Sequence, residues 1–335
     1  MKNVTKIVII AWCAALSLSS CNRNRYTPEE EDQFVPIGFT AVSQAMVKAE
    51  TADFPYDDFG VWGIARSPEI TQPYVLWNSD SMLRVAKDQD DRYIPSSAAY
   101  WLVGYTYDFI AVAPWAEQNT TSVTSGNAPG TDNLTFALDL ADQISAGNYT
   151  FDLLGAAAER EVTSRPTSPQ ELTFWHLFTK VVISAEFVDC EGGELTEIVL
   201  KNVDSKASYT LSVVDGDINV VCESNGSEGQ ETLTVEQSSF TEDGALLYLI
   251  PQDISDVEMY LDFTVSVKPD EDSETVKTVT ATNYMVNLES NKGKVYGYNK
   301  WYNWKLTISP KFVKFAEPTV QPWVDGADIP SVNIK

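Results

Sequence analysis

Val35-Pro36-Ile37-Gly38-Phe39-Thr40-Ala41 opens the folded part of the chain with a two-residue alternation of apolar and other residues. Its odd-numbered residues would share one side of an extended strand, because successive side chains of a strand point to opposite faces. The same period recurs in short runs down the chain, and no segment carries a long apolar stripe with helical spacing. We therefore expect an all-β protein.

Turn residues separate these runs, as in Asp215-Gly216-Asp217 and Glu242-Asp243-Gly244. Many short strands of similar spacing are typical of β-sandwiches. The helices that we expect are few and short, at 80–88 and 151–161. Besides 35–41 and 59–64, the expected strands cover residues 105–112, 134–140, 177–187, 195–203, 207–214, 245–250, 257–267, 278–284 and 298–308.

A chain of 335 residues is long for one sandwich and suits two domains. The polar stretch Ser164-Arg165-Pro166-Thr167-Ser168-Pro169 carries two prolines and resembles a linker. We place the boundary there, which predicts an N-terminal sandwich at 34–168 and a C-terminal sandwich at 169–335.

The first twenty residues form a signal peptide rather than part of the fold. Lys2 and Lys6 precede an apolar stretch at 7–18, which is too short to span a membrane. Leu18-Ser19-Ser20-Cys21 follows it and predicts lipidation of Cys21. Residues 21–33 are polar and acidic, and we expect a flexible tether there.

The charge of the chain excludes one class of partner. Its formal net charge is −25, and such an acidic surface repels the phosphates of DNA and RNA. After the signal peptide is removed, Cys190 and Cys222 are the only cysteines of the folded region. A disulfide between them and two free thiols both stay open.

No constellation of residues predicts catalysis or a cofactor. The single histidine, His176, lies among Phe174, Trp175, Leu177 and Phe178, and this setting favours a packed, hydrogen-bonded side chain. The acidic runs at 88–91 and 270–272 lack the pattern of a helix-loop-helix calcium site, so we interpret them as solvated loops. We predict no catalytic residue, no metal site and no enzyme.

The tryptophans and tyrosines are interpreted mainly as core residues. In Trp301-Tyr302-Asn303-Trp304 the alternation puts Tyr302 and Trp304 on one face with Leu306 and Ile308. Trp301 falls on the opposite face, where it is exposed or packs on the other domain.

Several landmarks in order resemble the fimbrillin, or Mfa-like, superfamily, which builds type V pili. After Cys21 come an opening strand at 34–42 and Met46-Val47-Lys48-Ala49. The remaining landmarks are Tyr107-Asp108-Phe109-Ile110-Ala111-Val112-Ala113-Pro114-Trp115, Asp152-Leu153-Leu154-Gly155-Ala156, Leu172-Thr173-Phe174-Trp175-His176-Leu177-Phe178-Thr179-Lys180-Val181 and Trp304-Lys305-Leu306-Thr307-Ile308 through Pro322-Trp323-Val324-Asp325-Gly326. Lys48 stands where stalk members commonly have arginine, and Thr179 stands where serine is usual.

The resemblance implies two transthyretin-like sandwiches in tandem and a role as stalk or tip of a cell-surface fimbrium. A trypsin-like protease would cut between Lys48 and Ala49 and release the first strand, whose apolar row is Val35, Ile37 and Phe39. Arg23 and Arg25 are rival cut sites that would leave this strand in place.

The groove left by the first strand would then be filled by a strand of another subunit, through backbone pairing and alternating apolar side chains. Candidate donor residues of this chain are Ile329, Val332 and Ile334, although Ile329 is out of phase with Val332. The partners are then other pilus subunits, in a homopolymer or a heteropolymer, and the outer membrane through the lipid anchor before processing.

Two other functions remain open. A non-polymerising surface lipoprotein could bind a glycan or a host protein through exposed aromatic residues. A secreted hydrolase would need specific carboxylates, and no aspartate or glutamate stands out for that role.

Overall fold

The structure, a computed structural model, describes residues 34–43, 52–71, 73–78, 82–115, 122–124, 135–139, 152–188, 191–204, 207–224, 230–237, 240–253, 259–268, 277–285, 295–308, 313–315, 319–322 and 333–334. Its regular structure is β-strand apart from one 3-10 turn, Leu76–Asn78. No helix within these ranges has the length and hydropathy needed to cross a membrane. The expected all-β fold is confirmed.

The strands are numbered in chain order. They are β1 Val35–Pro36, β2 Phe39–Ser43, β3 Ala52–Asp53, β4 Asp58–Arg66, β5 Tyr74–Val75, β6 Leu83–Lys87, β7 Tyr93–Pro95, β8 Tyr100–Trp101, β9 Tyr105–Ala113, β10 Ser122–Thr124, β11 Thr135–Asp139, β12 Leu154–Val162, β13 Gln170–His176, β14 Thr179–Phe187, β15 Glu191–Asp204, β16 Ala207–Val214, β17 Asp217–Ser224, β18 Gln230–Glu236, β19 Ala245–Leu249, β20 Gln252–Asp253, β21 Tyr260–Lys268, β22 Lys277–Met285, β23 Val295–Tyr296, β24 Lys300–Ile308, β25 Val313–Phe315, β26 Thr319–Pro322 and β27 Asn333–Ile334.

Seven strands close into a barrel-like ring in the order β13-β12-β9-β4-β6-β7-β2, and β2 pairs with β13 to complete it. Neighbours in the ring are antiparallel except β2 and β13, which run parallel with Phe39 beside Gln170 and Ser43 beside Phe174. Strands β3 and β5 extend this sheet outside the ring, against β2 and β4. Strand β2, near the start of the described residues, is thus part of a closed sheet.

Aromatic side chains fill the interior of the ring. Phe39, Phe59, Phe109 and Phe174 are fully buried there, in one cluster with Tyr93 and smaller apolar residues. Their rings meet mainly edge to face, for example Phe39 and Phe109 at 5.2 Å between centroids. This geometry suits the charge distribution of aromatic rings.

Strands β4 and β9 are buried on both faces. Phe59 and Val61 of β4 belong to the ring interior, whereas Trp62 and Ile64 belong to a second apolar cluster outside the ring. That second cluster also contains the core residues of β14 to β24. Burial of both faces explains why these two strands are nearly continuous apolar runs.

The other long strands form three sheets of the second cluster. One has the order β10-β11-β16-β17-β27, another β19-β14-β24-β25 with β26 also on β24, and the third β18-β15-β21-β22. Two short pairs, β1-β8 and β20-β23, complete the described sheets. Tyr302, Trp304, Leu306 and Ile308 are all buried on one face of β24, as their alternation predicted.

The helix expected at 151–161 is wrong. This segment forms β12, in which Leu154 to Val162 pair with β9 along its whole length. Alanine favours helices as an isolated residue, but here Ala156 and Ala158 are buried in the ring interior, in one cluster with the phenylalanine side chains. Tertiary packing therefore overrides local propensity.

The helix expected at 80–88 is also wrong, because residues 83–87 form strand β6. Val85 is fully buried in the ring interior, while Arg84 is exposed and its Nε donates to Asp58 Oδ2 at 2.9 Å. The alternation of exposed Arg84 and buried Val85 has the two-residue period of a strand. Five residues are too few for this period to be recognised in the sequence.

Strand pairing crosses the boundary expected between residues 168 and 169. Strand β13 follows that boundary and belongs to the ring, whereas β10 and β11 precede it and pair, through β11, with β16. The division into 34–168 and 169–335 stays a prediction. Residues 1–20 and 21–33 lie outside the described residues.

Candidate functional site

The opening segment, residues 34–43, contributes one strand to a short two-stranded sheet and the next strand to the ring. Strand β1 pairs with β8, and the Ile37 N–H donates to the Ala99 carbonyl at 2.8 Å. Strand β2 then lies between β13 and β7, with Phe39 opposite Tyr93 of β7. The segment therefore supplies both backbone pairing and a ring strand.

Its apolar row packs on the ring interior. Ile37 is 2% exposed and Phe39 0%, while Val35 and Ala41 are partly buried against the same cluster. Burial of a side chain of this size contributes about 1.5–3 kcal/mol. The three residues assigned to the removable strand, Val35, Ile37 and Phe39, thus share one buried face, and their removal on assembly stays a prediction.

Strand β13 depends on β2 for much of its backbone pairing. On its other side, β12 pairs only with Trp175 and His176. Along 170–174, the partner within the described residues is β2 alone, and the Gln170 N–H donates to the Gly38 carbonyl at 2.9 Å. Five of the seven residues of β13 would lose their partner strand if the opening segment left.

Asp152 and His176 hold the other end of β13. The His176 Nδ1 lies 2.6 Å from Asp152 Oδ2, and the Tyr56 hydroxyl donates to the Asp152 carbonyl at 2.8 Å. Burial raises the pKa of the Asp152 carboxyl, and the nearby His176 acts in the opposite direction. The histidine is packed and hydrogen-bonded, and this pair joins two of the sequence landmarks.

The residues that follow His176 tie β14 to β24. The Thr179 hydroxyl is buried and donates to the Gly297 carbonyl at 2.7 Å, a bond that serine could also make. Lys180 Nζ lies 4.5 Å from the ring centre of Trp301, and burial lowers the pKa of this lysine. The Lys180 ammonium therefore covers the Trp301 ring, and Trp301 lies on the face of β24 opposite to Trp304.

Most residues of the processing and donor prediction fall outside the described residues, namely Cys21, Lys48, Ala49, Ile329 and Val332. Ile334 is in β27, whose backbone runs parallel to β17 beside Val221 and Cys222. The structure thus brings one donor residue to the edge of another sheet of its own chain, which is not the ring sheet.

Cys222 is buried, and its Sγ donates to the Pro251 carbonyl at 3.8 Å. Burial raises the pKa of this thiol to about 12. Cys190 falls outside the described residues, so the disulfide is neither shown nor excluded.

The acidic turn at 88–91 is organised by its own neighbours. The Asp88 carboxylate accepts the N–H groups of Asp90 and Arg92 and the Arg92 guanidinium at 2.8–3.0 Å. The backbone hydrogen bond from Arg92 lowers the pKa of Asp88. The carboxylate is thus used within the turn, and the second acidic run, 270–272, is outside the described residues.

A cavity of about 410 Å³ beside the opening segment was missed by sequence reasoning. We call it the aromatic cavity, because its lining includes Phe34, Tyr74, Trp77, Tyr100 and Tyr107. Phe34 contacts Tyr100 edge-on at 5.8 Å between ring centres. The only sequence signal was the pair Tyr74 and Trp77 in a stretch with no clear period.

The sequence profile of the fimbrillin-like family matches residues 48–323. This chain belongs to the fimbrillin-like family. Its members are structural, non-enzymatic proteins, so this fimbrillin-like chain is not an enzyme. The matched range contains the landmarks from Lys48 to Trp323, including Asp152 and His176.

Solved structures share the fold of this fimbrillin-like protein. A fimbrial protein from Bacteroides vulgatus matches with a TM-score of 0.54 and 14% identity, over 86% of this chain and 99% of the other. A candidate cell adhesion protein from Bacteroides uniformis matches with a TM-score of 0.53 and 19% identity, over 88% and 99%. The comparison with curated proteins gives no match.

Proposed function

We propose that this fimbrillin-like protein is a stalk or tip subunit of a cell-surface pilus. It is exported as a lipoprotein through Cys21, folds as two transthyretin-like sandwiches, and loses its opening segment by cleavage after Lys48. A strand of another subunit then takes the vacated place. The observation that carries the proposal is that β2 is an integral strand of the closed ring.

Excision of the opening segment would create a backbone vacancy of defined length. The N–H and C=O groups of 170–174 would lose their partner strand, and unpaired edge groups are a template for another chain. A strand from a second subunit restores the same hydrogen bonds. Assembly is then favoured by the same contacts that stabilise the precursor.

Excision would also open the aromatic core. Phe39 leaves a space between Phe59 and Phe109, whose ring centres lie 6.2 and 5.2 Å from that of Phe39. Exposed apolar surface of this size is costly in water. An incoming strand with apolar side chains at the right spacing removes that cost.

The candidate donor residues have the spacing that this groove needs. Ile329, Val332 and Ile334 are separated by three and two residues, as are Phe34, Ile37 and Phe39. Ile329 would then take the place of Phe34 at the aromatic cavity, and Val332 would take the place of Ile37 in the ring interior. In this register Lys335 stands at the place of Thr40 and reaches Glu171 of β13.

Cleavage after Lys48 tests the proposal directly. We expect the wild-type protein and Lys48→Arg to be cut by trypsin, to show Ala49 as the new N-terminus and to form SDS-resistant ladders on concentration. Lys48→Gln is the matched control and should stay monomeric with residues 34–47 attached. Ladders from uncut Lys48→Gln, or stable monomers after loss of 34–47, would contradict the proposal.

Disulfide trapping tests the register. Two variants, Glu171→Cys and Lys335→Cys, are processed and then mixed. The two introduced cysteines should form a crosslink between subunits, because paired residues of neighbouring strands lie within the distance limits of a disulfide. Crosslinking of Glu171→Cys with Asn333→Cys instead would show strand exchange in a register shifted by two residues.

A further inference from the structure

We propose that the aromatic cavity binds the uncharged pyranose ring of a carbohydrate. This site goes beyond the role in polymerisation, and it is formed mainly by β5, the Leu76–Asn78 turn and β8. Its volume of about 410 Å³ lies within the usual range of small-ligand sites.

Among the described residues, the walls of the aromatic cavity carry no charged side chain. Each described lining residue is aromatic, aliphatic or serine. These walls suit a neutral ligand with apolar faces.

Three large aromatic side chains of the cavity are exposed to solvent. Tyr74 is 58% exposed, Tyr100 46% and Phe34 40%, whereas Tyr107 of the ring strand β9 is buried. Flat aromatic faces with polar tips suit a partner that is apolar on one face and wet at its edges. The C–H face and equatorial hydroxyls of a pyranose have this character.

Trp77 is held at the cavity in an unusual backbone conformation. Its φ is 60° and its ψ 5°, in the left-handed region that bulky residues rarely adopt. Such conformations cost about 1–3 kcal/mol and cluster at ligand sites. The strained turn places an aromatic side chain that both packs on the ring core and lines the cavity.

The cavity also offers a polar contact. Ser97, which lines it, is exposed to solvent. Its hydroxyl can donate and accept a hydrogen bond, and the hydroxyls of a sugar can do the same.

The rim of the cavity is fixed before a ligand arrives. The Tyr107 hydroxyl accepts the Leu102 N–H at 2.7 Å and donates to the Tyr100 carbonyl at 3.3 Å. These bonds join β8 to β9 and hold Tyr100 in place. A preformed site loses little entropy on binding.

Aromatic walls can bind two classes of ligand. Quaternary ammonium groups bind among aromatic rings, and an acidic protein attracts them. A trimethylammonium group, however, forms no conventional hydrogen bond with the Ser97 hydroxyl. A hydroxyl-bearing neutral ring uses both the aromatic walls and this hydroxyl.

Saturation-transfer NMR tests the site with full-length protein in a polyoxyethylene detergent, which contains no sugar. The probes are the methyl glycosides of glucose, galactose and mannose, N-acetylglucosamine, and choline. We expect transfer to at least one pyranoside and none to choline. Transfer to choline alone, or to no probe, would overturn the proposal.

Three variants locate the binding. Tyr74→Ala should weaken pyranoside binding at least fivefold, and Trp77→Phe, which shortens the aromatic wall, should weaken it about twofold or more. Val279→Ala on β22, another exposed apolar site, is the control and should not change it. Binding that Tyr74→Ala and Trp77→Phe leave intact would place the sugar elsewhere and overturn the proposal.

The same variants separate this site from polymerisation. Since neither Tyr74 nor Trp77 belongs to the opening segment or to β13, trypsin should still produce ladders from both variants. A variant that loses sugar binding but still forms ladders supports sugar binding at the aromatic cavity. If the processed wild-type protein forms no ladders, only the proposed polymerisation is contradicted.

Discussion

Phe39 is the residue on which the opening segment depends most. It is fully buried and contacts Phe59 and Phe109 edge-on. It also sits where the ring closes, since the backbone of Phe39 pairs with both Tyr93 and Gln170. One side chain therefore links the aromatic core with the only parallel pairing of the ring.

Truncation of this side chain should destabilise the precursor strongly. We expect Phe39→Ala to lower the free energy of unfolding by about 3–5 kcal/mol, the usual cost of removing a buried phenylalanine. Thr40→Ala, at the next and only half-buried position, should cost less than 1 kcal/mol. Urea unfolding of the uncut protein measures both, and equal losses would show that Phe39 does not anchor the segment.

Cys222 should be chemically inert in the folded protein. Its thiol is fully buried and burial raises its pKa to about 12, while only the thiolate reacts with iodoacetamide. We expect no alkylation of Cys222 at pH 8 and little change at pH 9, because both values lie far below this pKa. Mass spectrometry of the peptide that contains Cys222 checks this, and rapid labelling of that peptide without denaturant would contradict the buried placement.

The strand elements show how far the sequence pattern reaches. Strand β16, Ala207–Val214, has the bounds that alternation and its turn predicted. The segment of β12 was predicted to be a helix. The sequence pattern did not reveal the strand, because the strands that pair with it and the ring interior that it faces are formed by residues distant in sequence. Local period reveals a strand with one buried face far better than a strand enclosed on both sides.

The candidate site was predictable only in part. The alternating row Val35, Ile37 and Phe39 was visible in the sequence, and the structure buries it on one face. The partner of that row was not visible, since parallel pairing of β2 with β13 joins positions more than 120 residues apart. Trp77 was missed because its role depends on backbone conformation and on the cavity around it.

Strand β13 should report the loss of the opening segment. After cleavage at Lys48 and before assembly, we expect faster amide exchange at 170–174, because these groups lose their partner among the described strands. Protection should return on polymerisation. Strand β9, which is paired on both sides by β4 and β12, is the internal control.

Exchange detected by mass spectrometry resolves peptides of this length. Unchanged protection of 170–174 after complete removal of residues 34–48 would mean that another part of the chain replaces β2 within the same molecule.

At the scale of the molecule, two apolar clusters share strands. The ring interior is one, and the outer residues of β4 and β9 join the core of the later sheets in the other. Trp62 and Ile110 thus pack with residues such as Leu177 and Ile218. Loosening of the ring would therefore also loosen the packing of the neighbouring sheets, because they share this layer of side chains.

Removal of residues 329–335 should produce a subunit that accepts a strand but cannot donate one. Mixed in small amounts with processed wild-type protein, it should shorten the fibres as its mole fraction rises. Electron microscopy gives the length distribution, and Lys335→Gln with the tail intact is the control. Circular dichroism checks that the shortened chain folds, since β27 pairs with β17. Fibres of unchanged length would show that the tail does not donate.

The parallel alignment of β2 with β13 has a consequence for any filament. A substitute strand that repeats this alignment can enter in one orientation only, so every junction would have the same sense. Head-to-tail contacts that do not close into a ring give open filaments. The two ends of such a filament would differ, one presenting a vacant groove and the other an unused tail, so a single added protein could block growth at one end and leave the other untouched.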